Sequence, residues 1–193
     1  MKKIRFVDCG ANVGQSVEWA LDAFKNCELK IDSFEPLPKN VEVLREKFGN
    51  NPHVSIHDAA VSTTDGLTSF YCQNWGARTG SSLVKGKSST NDMDVINVRT
   101  IDIAKWLRDN ISEDEVCVLK VDIEGAEYEV LPHLIDQGLN SVAEFLLVEY
   151  HGTKTPNYSP SVEILTSNSF AHVVDWGKPE LAKNVLIKFG LIE

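Results

Sequence analysis

Five short runs hold residues whose type and spacing suit chemistry. The first is Phe6-Val-Asp-Cys-Gly-Ala-Asn-Val-Gly14, an apolar stretch that ends on Asp8 and passes into a glycine turn. Gly10 permits a sharp turn and Gly14 a close approach of the following helix. A dinucleotide fingerprint places a second glycine where Asn12 stands, so that a pyrophosphate can lie against the backbone. The Asp8, Gly10, Ala11, Asn12, Gly14 pattern instead suits a cofactor without a pyrophosphate, S-adenosylmethionine. Its ammonium would seek Asp8, and its carboxylate would seek backbone N–H groups. The second run is Ser33-Phe-Glu-Pro36. Glu35, about twenty residues beyond Gly14, is placed to accept both hydroxyls of a ribose, with Pro36 beside it. The third, His57-Asp-Ala-Ala-Val61, offers Asp58 to an adenine amino group and the Ala59 N–H to the ring. The fourth, Val118-Leu-Lys-Val-Asp-Ile-Glu-Gly-Ala-Glu127, delivers Asp122 and Glu124 from an apolar strand. The fifth, Leu147-Val-Glu-Tyr-His151, adds Glu149 and His151.

These runs need a scaffold that brings strand ends to one edge. Apolar β-rich runs alternate with helical periodicity along the chain. Val17, Ala20, Leu21 and Phe24 share one face of a helix, and Val41, Leu44 and Phe48 share another. Residues 1–61 therefore read β-α-β-α-β, the order of a doubly wound parallel sheet, whose ligands bind at the carboxyl ends of the strands. Seven core strands are expected, at 4–8, 29–34, 54–61, 116–121, 145–150, 171–176 and 185–189. The last two lack a helix-length connection, so an antiparallel final strand is expected. Helices are expected over 101–110, over 125–136 with Pro132 inside, and over 161–167. An insertion at about 67–100 reads as a small hairpin from Leu67–Cys72 and Asp94–Arg99. The whole chain, 1–193, reads as one domain.

Composition narrows the partners. The 193 residues carry 19 Lys+Arg against 28 Asp+Glu, a net charge of −9. Polyanions and anionic lipid need clustered bases, so neither nucleic acid nor a membrane is an expected partner. No run reaches the ~20 apolar residues of a membrane span. Lys2, Lys3 and Arg5 precede an apolar run that Asp8 interrupts, too short for a secretory signal. Cys9, Cys27, Cys72 and Cys117 are far apart and read as reduced thiols, which gives a cytoplasmic expectation. The stretch Gln73–Thr90 is free of acids and holds Arg78, Lys85 and Lys87. It reads as a solvated loop or as a lid that clamps an anionic acceptor. Between Glu113 and Glu129 there are seven acids and one base. No residue is assigned as a metal ligand, although Asp122 and Glu149 with His151 form a set that Mg²⁺ accepts.

Together these residues resemble the FkbM family of S-adenosylmethionine-dependent methyltransferases. The resemblance lies in Val7-Asp-Cys-Gly-Ala-Asn-Val-Gly-Gln-Ser16, Phe34-Glu-Pro36, Ala59-Ala-Val61, Gly80-Ser-Ser-Leu83, Arg99-Thr-Ile-Asp102, Leu119-Lys-Val-Asp-Ile-Glu-Gly-Ala-Glu127 and Leu147-Val-Glu-Tyr150. It implies a Rossmann-like class I methyltransferase fold and methyl transfer to a hydroxyl of a sugar, glycan or other small metabolite. Asp122, His151 and Glu149 are then the candidate catalytic residues, with His151 or Asp122 as the base. Arg78, Ser81, Ser82 and Glu124 are the candidates for touching the acceptor. Two alternatives stand beside this reading: an inactive S-adenosylmethionine-binding module, and an NAD-dependent oxidoreductase on a similar sheet. Oligomeric state is left open, a homodimer included.

Overall fold

The computed structural model describes residues 1–73 and 79–193. In chain order it contains β1 (Lys3–Cys9), α1 (Gln15–Ala23), β2 (Glu28–Glu35), α2 (Pro38–Phe48), β3 (Val54–Asp58), β4 (Ala60–Ser62), β5 (Gly66–Tyr71) and β6 (Val95–Asp102). There follow α3 (Ile103–Asn110), β7 (Val116–Val121), α4 (Glu127–Asp136), β8 (Ala143–Val148), α5 (Pro160–Ser169), β9 (His172–Asp175) and α6 (Pro179–Lys188).

The α/β architecture is the expected one. Six parallel strands form the central sheet in the order β3-β2-β1-β7-β8-β9. The central strands are nearly continuous apolar runs because both faces are covered. On β1, Ile4 and Phe6 point into a core shared with α1, α2 and α6, while Val7 and Cys9 point into one shared with α3 and α4. The order reverses between β1 and β7, so their carboxyl ends open the crevice where such sheets bind ligands.

Two expectations are corrected. The expected strand at 185–189 lies in α6, so there is no antiparallel seventh strand there. Its apolar residues serve a helix instead: Ala182 and Leu186, one turn apart, are both buried. Pro179 occupies the first turn, and Gly190, at φ +67°, closes the end with its N–H on the Ile187 carbonyl. A short apolar run cannot be told from a buried helix segment by periodicity alone, and these punctuation residues decide it. The expected strand 54–61 divides at Ala59. The Ala59 N–H turns back onto the His57 carbonyl, and the chain leaves the central sheet.

The continuation, β4, pairs in parallel with β6, and β6 pairs antiparallel with β5. This second sheet contains the expected inserted hairpin and adds β4 to it. Phe70, Thr79, Gly80, Ser81 and Leu83 from this insertion face the carboxyl edge of the central sheet.

Candidate active site

Gly10 ends the first strand at φ +89°. A Cβ there would lie 1.9 Å from the Asp122 carbonyl oxygen, so the ends of β1 and β7 touch only because this residue is glycine. Asn12 holds a left-handed conformation, φ 50°, which turns its N–H onto Glu35 Oε2 at 2.9 Å. Glu35 Oε1 accepts the Leu37 N–H at 2.9 Å and a longer bond from Asn40 Nδ2 at 3.4 Å. Burial pushes the Glu35 carboxyl up to about 7 against these donors. A carboxylate has about four acceptor sites, so this one keeps capacity for a hydroxyl.

Glu35, Pro36, Leu37 and Asn40 line one lobe of a cleft, closed on the opposite side by Phe70, Thr79, Gly80, Ser81 and Leu83. Gln15, Ser16, Trp19, Lys120, Glu149 and Trp176 line a second lobe. Gly10, Asn12 and Asp122 belong to both, so the two lobes meet at the switch between β1 and β7. Ala11 lines the second lobe only.

Not every anticipated residue reaches the cleft. Asp8 is fully buried: its Oδ2 accepts from Ser16 Oγ at 2.6 Å, and its Oδ1 lies 3.2 Å from Lys120 Nζ. Its charge is already matched, so it is not the open carboxylate expected to receive an ammonium. Asp58 is displaced outward where the chain changes sheets. Its side chain is 51% exposed and faces Arg45, and Ala60 and Val61 line the lobe instead of Asp58 and Ala59. Gly14 shapes the helices: a Cβ there would lie 2.3 Å from the Phe48 ring on α2. Its close approach is thus helix against helix.

Lys120 is the residue that sequence reasoning passed over. It is the one charge inside the apolar β7 strand and lies directly opposite Asp8 in register. Its buried ammonium touches Asp8, reaches Asp122 Oδ2 at 3.4 Å and donates to the Gly10 carbonyl at 2.7 Å. Burial disfavours that charge, and Asp8 and Asp122 more than compensate, so the ammonium is held well above its ordinary value. The signal was available: a lysine is almost never fully buried unless paired.

Beyond Asp122 the chain makes a tight corner, with Glu124 at φ 59° and Gly125 at φ 109°. Glu124 Oε1 accepts the Gly80 N–H at 3.0 Å, and Oε2 meets both Lys87 Nζ and, at 3.1 Å, His151 Nε2. Burial would raise this carboxyl, but the hydrogen bonds from His151 and Lys87 pull it down to about 2. His151 Nδ1 lies 3.0 Å from Glu127 Oε1. Burial opposes the imidazolium, and the two glutamates overcome it and hold its pKa at about 10. His151 therefore carries a proton at neutral pH and has both nitrogens engaged. It is not the expected base. Glu149 is half-buried, and burial together with the nearby Asp122 charge raises its carboxyl.

The acceptor-side candidates are also redistributed. Ser81 lines the first lobe, with its Oγ taking the Gln73 N–H. Ser82 is buried and donates to the Glu124 carbonyl at 2.7 Å, a bracing role. Arg78 lies outside the described residues. Lys87 is spent on Glu124 and does not project as a clamp, whereas Lys85 is exposed. The ligand atoms of Asp122, Glu124 and His151 lie within 4.8 Å of one another, a spacing that admits a cation. A metal ion there would have to displace the Lys87 ammonium and the His151 proton. All four cysteines are free thiols, and among the described residues no helix is long and apolar enough to cross a membrane.

Comparison with known proteins agrees with this geometry. The model of the "Methyltransferase FkbM domain" family matches residues 8–177. "Methyltransferase 1" of Beauveria bassiana (strain ARSEF 2860) is 26% identical over 205 residues, covering 94% of this chain and 79% of that protein. The crystal structure of methyltransferase FkbM from Methylobacillus flagellatus KT superposes with a TM-score of 0.54 at 14% identity, over 87% of this chain. The likeness in that case is one of fold, and the chain spans 38% of the length of that structure. The matched span runs from Asp8 to Gly177 and takes in all of the first lobe's lining and all of the second's except Pro179, so the chain belongs to the FkbM-domain methyltransferases.

Proposed function

We propose that the protein transfers a methyl group from S-adenosylmethionine to a hydroxyl of a small acceptor, a sugar, glycan or similar metabolite. The observation that carries this reading is Glu35. It is a buried carboxylate at the end of the second strand, held by neutral N–H donors and facing a cleft floored by the Gly10 turn. That is the chemistry a ribose diol requires. The cofactor supplies an electrophilic methyl on a sulfonium. The residues fit it: Glu35 and Asn40 stand on the nucleoside side, and Asp122 and Glu149 are the carboxylates within reach of a cationic centre. The N–H groups at the start of α1, beside Gln15 and Ser16, are suited to a carboxylate tail.

The rest of the task is alignment and proton removal. Asp122 lies at the junction of the lobes, fixed by Lys120 on one side and 3.8 Å from His151 Nε2 on the other. Glu149 lines the second lobe beside Asp122, and its carboxyl, raised by burial, is suited to take the proton of the acceptor hydroxyl. The protonated His151 holds Glu124 and Glu127 in place. Lys87 is consumed within the protein and the lobe-lining carboxylates are negative, which favours an acceptor without an anionic group at the reacting end. The net charge of −9 favours a small molecule over a nucleic acid or a membrane surface.

The test is incubation with methyl-labelled S-adenosylmethionine and a panel of hydroxylated glycosides, read by mass spectrometry. A labelled methyl on oxygen, lost in Glu149→Gln with S-adenosylhomocysteine binding retained, supports the assignment. Cofactor binding with no transfer to any acceptor would favour an inactive module.

A further inference from the structure

The first lobe has a volume of about 80 Å³, well below the roughly 300–1,000 Å³ of sites that enclose a small molecule. Its floor is the rigid sheet edge, where Gly10 presses on Asp122 and Glu35 is fixed by Asn12 and Leu37. Its remaining wall is the insertion. The wall is fastened chiefly at Glu124. Glu124 takes the Gly80 N–H and the Lys87 ammonium on its carboxylate, and the Ser82 hydroxyl on its carbonyl. Lys87, 3% exposed, also donates to the Gly80 carbonyl at 2.9 Å and to Ser89 Oγ at 2.7 Å, so it binds the strap together as well as down. A second tie, from the Ser88 N–H to the Lys154 carbonyl, holds the same segment to the loop after β8.

We propose that Lys87 is a positioning residue and the latch of this strap: its ion pair with Glu124 closes the nucleoside lobe, and its release admits and discharges the cofactor. The entry role rests on the methyltransferase reading above, whereas the latch itself rests on the contacts alone. A buried ammonium suits this task. Paired, it is stable; released, it is fully hydrated, so closed and open states are both accessible. The Glu124 corner adds to this, since a left-handed glutamate stores backbone strain that the strap contacts must hold.

Lys87→Met keeps the bulk of the side chain and removes the charge. Stopped-flow measurement with S-adenosylhomocysteine should show its dissociation at least tenfold faster than from the wild type. Trypsin cleavage after the exposed Lys85 should be at least fivefold faster. Lys87→Arg should recover most of both. Dissociation within twofold of wild type, in a Lys87→Met protein with native circular dichroism, would overturn the latch. If Lys87→Met does not fold, Glu124→Gln serves: it keeps an acceptor for Gly80 and loses the ion pair, and the same two readouts decide. If the wild type binds no S-adenosylhomocysteine, the methyltransferase reading fails. Cleavage after Lys85 then judges the latch alone, and an unchanged rate refutes it.

Discussion

Glu35, buried, and Glu124, partly buried, are both glutamates at the carboxyl edge of one sheet, yet the protein treats them in opposite ways. Glu35 meets only neutral donors, and burial lifts it to about 7. Glu124 meets two cations and is driven to about 2. The first keeps acceptor capacity pointing into the cleft. The second has each oxygen taken by the protein itself. The position of a carboxylate at a ligand-binding edge therefore does not assign it a role. What faces it does.

This contrast can be broken at several points. The largest expected effect is at Glu35. Glu35→Gln removes charge-assisted hydrogen bonds to the ribose and should weaken S-adenosylhomocysteine binding about 100-fold by calorimetry. A loss under threefold would remove Glu35 from the site. The next is pH. On the proposed reading the ionised Glu35 is the form that accepts from the ribose, and with its folded pKa at about 7 it becomes protonated as pH falls. Affinity should drop about tenfold from pH 8 to pH 6. Glu124, already ionised over that whole range, contributes nothing to the slope.

A third effect concerns stability. The His151 pKa is raised to about 10, so its stabilisation is complete below its ordinary value of 6.5 and is lost as pH rises toward 10. The midpoint of thermal unfolding should fall by about 5 °C between pH 7 and pH 9.5, and by much less in His151→Gln. Gly14→Ala, which forces a Cβ onto Phe48, should cost about 2 kcal/mol of stability in chemical denaturation and leave S-adenosylhomocysteine affinity within twofold. Asp58→Ala, at an exposed bend, should change affinity less than twofold. A larger change would restore the adenine contact first expected of it.

The sequence disclosed the fold wherever strand and helix differ in period and punctuation. β1, β2, the hairpin and β7 lie where alternation, turn residues and apolar runs place them, whereas the run 54–61 is shared between β3 and β4. It misled at 185–189, where five residues are too few to show a period and the helix is declared by Pro179 and Gly190 at its ends. For the candidate site, residue type and strand-end position anticipated Gly10, Asn12, Glu35, Asp122 and Glu149, which line the cleft. What they could not show was pairing across long separations. Asp8 is spent on Lys120, 112 positions later, and Glu124 on Lys87, from an insertion whose basic character suggested an external anion. Ion pairs that close inside the protein remove candidates from a ligand, and only the folded geometry reveals them.

The central claim is that the cleft below Glu35 is an S-adenosylmethionine site. Calorimetric titration of the wild type at pH 8 with S-adenosylhomocysteine, and separately with NAD, tests it most directly. Saturable binding of one S-adenosylhomocysteine per chain and no heat from NAD are expected. Absence of S-adenosylhomocysteine binding, or preference for NAD, would contradict it.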